Sequence, residues 1–207
     1  MPPPLPPGPL GWAHKVQANP VVSLELFLDL CCPFSAKMFA VLERVAPAIE
    51  EKHPGKVQFR VFNVPQPWHA QSSYMHEVAL AASQIEGFQP WSVHSEIFKN
   101  QAQFFDDATV DKTRKQIYEE LAGLVAGQAD ASAQAEKKEA ILQKLAIAAG
   151  SGNSGHSMQQ TLKFYVKYHR ARSIHVTPTV LVNGLEAGEI SSSFTEEQWM
   201  EWLMTRL

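Results

Sequence analysis

Between Val22 and Val61 the hydrophobic period of this chain changes twice, and the change dictates a layered arrangement. Val22, Leu24, Leu26 and Leu28 alternate with Ser23, Glu25, Phe27 and Asp29, which predicts a strand with one strongly apolar face and a mixed second face. After Pro33 the step lengthens. Phe34, Met38, Val41/Leu42, Val45 and Ile49 recur every three to four residues, the stripe of a helix packed on a sheet, and His53-Pro54-Gly55 ends it. Val57, Phe59 and Val61 then alternate with Gln58, Arg60 and Phe62. A strand, a helix and a strand in so short a span predict a βαβ unit with parallel strands and a right-handed crossover.

At the strand-to-helix junction stands Cys32-Pro33-Phe34-Ser35. Unpaired N–H groups and the positive end of a helix dipole stabilise a thiolate, so a cysteine at such a mouth falls from about 8.5 to as low as roughly 3.5–7.5 in pKa. Ser35 occupies the position where a two-cysteine redox motif carries its second thiol, so this motif cannot close an internal disulfide. A Cys32 thiolate that attacks a disulfide is left in a mixed disulfide, which an external thiol must break. Ser35 is expected to donate a hydrogen bond to the Cys32 sulfur. Consecutive side chains leaving a strand point to opposite sides, so Cys31 is expected to face the interior as a small hydrophobe while Cys32 faces a cleft.

Composition removes several function classes. The net charge of −3, without a cluster of Lys or Arg, argues against nucleic acid as a partner. No apolar run approaches the roughly 20 residues of a membrane span, and the N-terminus lacks a signal-peptide layout, so the expected location is cytoplasmic, away from membranes. Two adjacent cysteines and eight scattered histidines offer no metal-ligand spacing. No metal is expected.

Six of the fourteen prolines lie within Pro2 to Pro9, and residues 1–18 read as a flexible Pro-rich tail. From about Ser72 to Ala149 the pattern is helical, with turns at Glu86-Gly87-Phe88-Gln89-Pro90 and Phe105-Asp106-Asp107-Ala108 and a loop over 150–155. Trp91, Phe98, Phe104 and Phe105 read as the core of this region, and a further helix is carried by Met158, Leu162, Tyr165/Val166 and His169. Val176 to Val182 resumes strand character, and Asn183-Gly184 is the favoured dipeptide for a type I′ turn into a paired strand over 185–188. Thr195 with Gln198 forms a capping box, Phe194 with Trp199 a hydrophobic staple, and Trp199, Trp202, Leu203 and Arg206 mark the buried edge of a last helix.

The order β-α-β, helical insertion, β-β-α, with Cys-Pro after the first long strand and Thr177-Pro178 at the start of the third, resembles a thioredoxin-like α/β fold carrying an inserted α-helical domain. It is similar to the DsbA-like group, which includes DsbA-type oxidoreductases, kappa-class glutathione transferases and 2-hydroxychromene-2-carboxylate isomerases. The resemblance rests on Leu28 to Ser35 paired with Val176 to Gly184, more than a hundred residues apart. It implies a thioredoxin-like domain from 19–67 and 173–207 and an insertion over 68–172. It also implies that Pro178 is cis and lies against Cys32, so that the backbone of Thr177 pairs with a bound peptide or with glutathione.

The motif stands between two branches of that group. DsbA-type oxidants carry Cys-Pro-x-Cys, whereas kappa-class transferases resemble Ser-Pro-Tyr-Ser at this place. The expected function is a thiol–disulfide oxidoreductase acting through a single cysteine, with Cys32 and Ser35 catalytic, no tightly bound cofactor, and glutathione as co-substrate and resolving thiol. Pro33, Phe34, Val176, Thr177 and Pro178 are the expected substrate-binding residues. Trp68 and His69, which follow the second strand, join them as a stacking surface and an acid or base. The partner is glutathione or a peptide or protein bearing a thiol or disulfide, and the kappa-class resemblance leaves a homodimer open. Two other readings compete: a glutathione transferase or isomerase, and a non-catalytic peptide-binding module.

Overall fold

The computed structural model describes residues 4–207. Strands β1 (Trp12–Ala13), β2 (Val22–Leu28), β3 (Val57–Asn63), β4 (Thr179–Val182) and β5 (Leu185–Glu186) form one sheet in the order β1-β3-β2-β4-β5. The expected βαβ unit is present: β2 and β3 run parallel, with Leu24 opposite Phe59 and Leu26 opposite Val61, joined by helix α1 (Pro33–Lys52). Strand β4 lies antiparallel on the other side of β2, with Leu26 opposite Val180. Helices α2 (Ser72–Ala82), α3 (Pro90–Asn100), α4 (Asp106–Thr109), α5 (Arg114–Ala126), α6 (Gln134–Lys144) and α7 (Gln159–Ala171) fall between β3 and β4. Helix α8 (Glu196–Met204) closes the chain. This is a mixed α/β, thioredoxin-like architecture.

Both faces of the sheet are covered. Met38, Phe39, Leu42, Val45 and Ile49 of α1 are fully buried, and α8 packs beside α1 through Trp199 and Leu203. On the opposite face Phe27 stacks on Phe62 and Phe62 on Tyr168 of α7, with centroids 4.9 Å apart in each pair. The second face of β2 is therefore aromatic and closed rather than mixed. Buried side chains of the sheet and of α2, α3 and α5 form one continuous core.

Four expectations need correction. Residues 1–3 of the expected tail lie outside the described residues, but Trp12 and Ala13 pair antiparallel with Val61 and Arg60, so residues 12–13 belong to the sheet. Gly11 makes this approach possible: its φ is +87°, and a Cβ there would sit 2.7 Å from the Arg60 and Phe62 side chains. Phe34, expected in the core stripe of α1, is 60% exposed, because it lies in the first turn, past the end of the strand it would cover. The strand expected from Val176 begins at Thr179, since Pro178 donates no ladder hydrogen bond. Arg206 is exposed and stacks on the half-buried Trp202 at 3.7 Å instead of completing a buried edge.

Candidate active site

Asp29 ends β2 and organises the turn that delivers the cysteines. Its backbone carbonyl accepts from the Cys32 N–H at 3.0 Å, and its carboxylate Oδ1 accepts from the Cys31 N–H at 3.0 Å and from the Ser72 hydroxyl at 2.5 Å. Gln101, past the end of α3, donates to the carbonyls of Leu30 at 2.9 Å and Cys32 at 3.4 Å. The turn is thus held from the strand and from the insertion together. Asp29 is wholly buried. Burial pushes its carboxyl up, but His76, the Ser72 hydroxyl and the Cys31 N–H outweigh that and hold it below the usual carboxylate range.

Cys32 is the N-cap of α1, in extended conformation, with Pro33 opening the helix. Its thiol donates to the Thr177 carbonyl at 3.5 Å across 145 residues of sequence, and 5% of the residue is exposed. The Thr177–Pro178 bond is cis. The residues flanking this contact, Phe34 and Val176, are exposed, so apolar surface lies on either side of the sulfur.

Cys31 is equally buried but differently placed. Its sulfur accepts from the Gln71 amide at 3.3 Å. Burial first, then the charges of Asp29 and Asp106, push its thiol up to about 12. It is not sealed in the interior as expected, because it borders a cavity of about 370 Å³ together with Pro33, His69, Gln71, Phe105, Asp106 and Asp107. Ser35 also departs from expectation. It is fully buried, and its hydroxyl accepts from the Asp29 N–H at 3.3 Å, a role that supports the turn.

His69 is fixed by Asp29, with Nδ1 2.7 Å from Oδ2, and its ring meets Trp68 edge-on at 6.1 Å. It separates the first cavity from a second of about 480 Å³, lined by Gln66, Trp68, Arg170 and His175 among others. Gln66 donates to the His175 carbonyl at 3.4 Å, tying this second cavity to the segment that leads into Thr177. The expected residues Cys32, Pro33, Phe34, Thr177, Pro178 and Val176 therefore meet at one place, with His69 and Trp68 on the far side of the first cavity. Sequence reasoning missed Asp29, Gln71, Ser72, His76 and Gln101. A charged residue inside the apolar run Leu26-Phe27-Leu28-Asp29-Leu30 was the one local signal, since such a group is buried only with partners.

The fold has close counterparts. A Pseudomonas syringae structure described as a candidate protein-disulfide isomerase is 25% identical with a TM-score of 0.69, over 94% of this chain and 97% of that one. The thiol-disulfide oxidoreductase MdbA of Actinomyces oris is 16% identical with a TM-score of 0.64, over 94% and 87%. BdbD of Bacillus subtilis, in its oxidised form, is 19% identical with a TM-score of 0.58, over 92% and 89%. No curated protein matches the sequence. The family model described as Thioredoxin matches residues 17–204, and with the sheet order and the Cys32–Thr177 contact already in place, the chain belongs to the thioredoxin family.

Proposed function

We propose that this protein is a thiol–disulfide oxidoreductase that works through Cys32 alone, with glutathione as the releasing thiol. The observation that carries the reading is the Cys32 sulfur set at the N-terminus of α1 and 3.5 Å from the Thr177 carbonyl. Helix-end N–H groups favour an anion at that sulfur, and the Thr177 backbone lies where an extended peptide or glutathione would run beside it.

The chemistry balances without a cofactor. The Cys32 thiolate attacks one sulfur of a substrate disulfide, forming the Cys32–substrate bond and expelling the other sulfur as a thiolate. Glutathione thiolate then attacks the substrate sulfur, the electron pair of the broken bond returns to Cys32, and the products are a glutathione–substrate disulfide and free enzyme. Cys31 is a poor resolving group, with its thiol pushed up to about 12. Arg170 and His175 in the second cavity suit the carboxylates of glutathione, and exposed Phe34, Trp68 and Val176 suit an apolar peptide. A glutathione-rich cytoplasm is the compartment this cycle fits.

Exposure to oxidised glutathione followed by intact-mass analysis tests the reading. One glutathione adduct is expected on the wild type and on Cys31→Ser, and none on Cys32→Ser. An unmodified wild type overturns it, and catalytic turnover that survives Cys32→Ser points to a transferase instead.

A further inference from the structure

Loss of a second motif thiol moves the difficulty of the cycle to the incoming thiol. Ordinary thiols have a pKa of about 8.5 and are mostly protonated near neutral pH, whereas only the thiolate attacks. A base beside the mixed disulfide would lift that limit.

Only one ring is placed for this. Cys31 and Pro33, the neighbours of Cys32 in sequence, line the 370 Å³ cavity, and His69 lines the same space. Asp29 links the two sides, since its carbonyl holds the Cys32 N–H while its Oδ2 holds His69 Nδ1 at 2.7 Å. Asp29 is a buried carboxylate, so Nδ1 carries the proton that is donated to it, and the lone pair resides on Nε2. About a quarter of the His69 side chain is exposed, which leaves that edge open to a ligand.

We infer that His69, aimed by Asp29, takes the proton of the external thiol that releases Cys32, a role that rests on the single-cysteine reading. The S–H proton passes to Nε2, the resulting thiolate attacks the substrate sulfur of the mixed disulfide, and the electron pair of the cleaved S–S bond returns to Cys32. The imidazolium is balanced by the Asp29 carboxylate and returns its proton to water. The sum is one thiol exchanged for another, with no oxidant or reductant beyond the two sulfur partners. Asp29 is a positioning residue here. The other ionisable groups facing His69 are Asp106, Asp107 and Cys31 in the first cavity, and His169, Arg170 and His175 in the second.

The test separates loading from release. Wild type and His69→Gln are first loaded with glutathione, and the adduct is then discharged with 2-mercaptoethanol, an uncharged thiol, while intact mass is followed from about pH 6 to pH 10. General-base help of this kind is on the order of 10²-fold. The variant is expected to release about that much more slowly near neutral pH, with the deficit shrinking as pH rises and vanishing once the thiol is already ionised. Asp29→Asn should repeat this profile, and Gln at 69 keeps the test valid where the buried Asp29 variant fails to fold. Equal release at neutral pH, or a ratio that stays constant with pH, overturns the inference while leaving the single-cysteine reading intact. A wild-type Cys32 that takes up no glutathione overturns both.

Discussion

Cys31 and Cys32 are adjacent and equally buried, yet their surroundings assign them opposite chemistry. Cys31 faces the carboxylates of Asp29 and Asp106 inside a low-dielectric wall, so its thiol is held up to about 12. A thiol in that state is a poor nucleophile. Iodoacetamide near neutral pH is therefore expected to label Cys32 and to reach Cys31 only after denaturation, as peptide mapping of the labelled protein checks; labelling of Cys31 in the native protein would contradict the assignment. Asp29 carries the largest single-residue consequence. Removing its carboxylate strands the Cys31 N–H, the Ser72 hydroxyl and His69 Nδ1, so Asp29→Ala should cost about 3 kcal/mol or more in urea unfolding. The motif of Cys32 was legible because it is contiguous. The Asp29 cluster was not, because Ser72 and His76 lie on α2, more than forty residues on, and no local pattern records which polar groups a later helix will bring.

Elements whose signals are local were the best read. Asn183 and Gly184 have φ of +50° and +87°, the two positive values a type I′ turn needs, and the strands they join pair as expected. Asn183 has a second task that composition does not reveal. Its Oδ1 accepts from the Ser23 N–H at 2.7 Å and its Nδ2 donates to the Val21 carbonyl at 3.2 Å, stitching the turn to the start of β2. Asn183→Gly keeps the turn and loses the stitch; Asn183→Ala loses both. The glycine variant is expected to cost about 1 kcal/mol and the alanine variant about 1 kcal/mol more, with denaturant midpoints as the measurement. The capping box of α8 is fully formed by Thr195 and Gln198, and Thr195→Ala should cost about 1 kcal/mol. By contrast β1 was lost beneath the proline content of the leader. Its two residues carry no alternation, and their place in the sheet is decided by Trp12 lodging edge-on against His94 at 5.0 Å.

The molecule as a whole buries titratable groups that set a window of stability. Burial holds His94 neutral in the native state, pushed down to about 3, with Nδ1 donating to the Pro90 carbonyl at 2.9 Å and the nearby His76 working in the same direction as burial. In the unfolded chain this ring protonates near 6.5, so between these limits the unfolded state binds the extra proton and stability is lost as pH falls, by about 1.4 kcal/mol per pH unit for one fully released group. His169 is also shifted down by burial, and Asp29 adds to the loss once pH drops below its ordinary range. At the alkaline end the sign reverses. Cys31 and Tyr165 are pushed up to about 12 and Tyr118 is raised as well, so the native state keeps protons that the unfolded chain releases, and stability falls as pH rises past about 9. Urea unfolding across pH should therefore show a plateau between roughly 6.5 and 9. His94→Gln isolates the largest acid term: it gives up packing against Trp12 and Phe39 and is expected to be less stable at neutral pH, but its acid limb should be shallower, so the gap to wild type closes as pH approaches about 4. Parallel acid limbs in the two proteins would show that His94 is not what limits the fold there. The groups involved span β2, α2, α3, α5 and α7, so the window belongs to the packed whole, and no single stretch of sequence displays it.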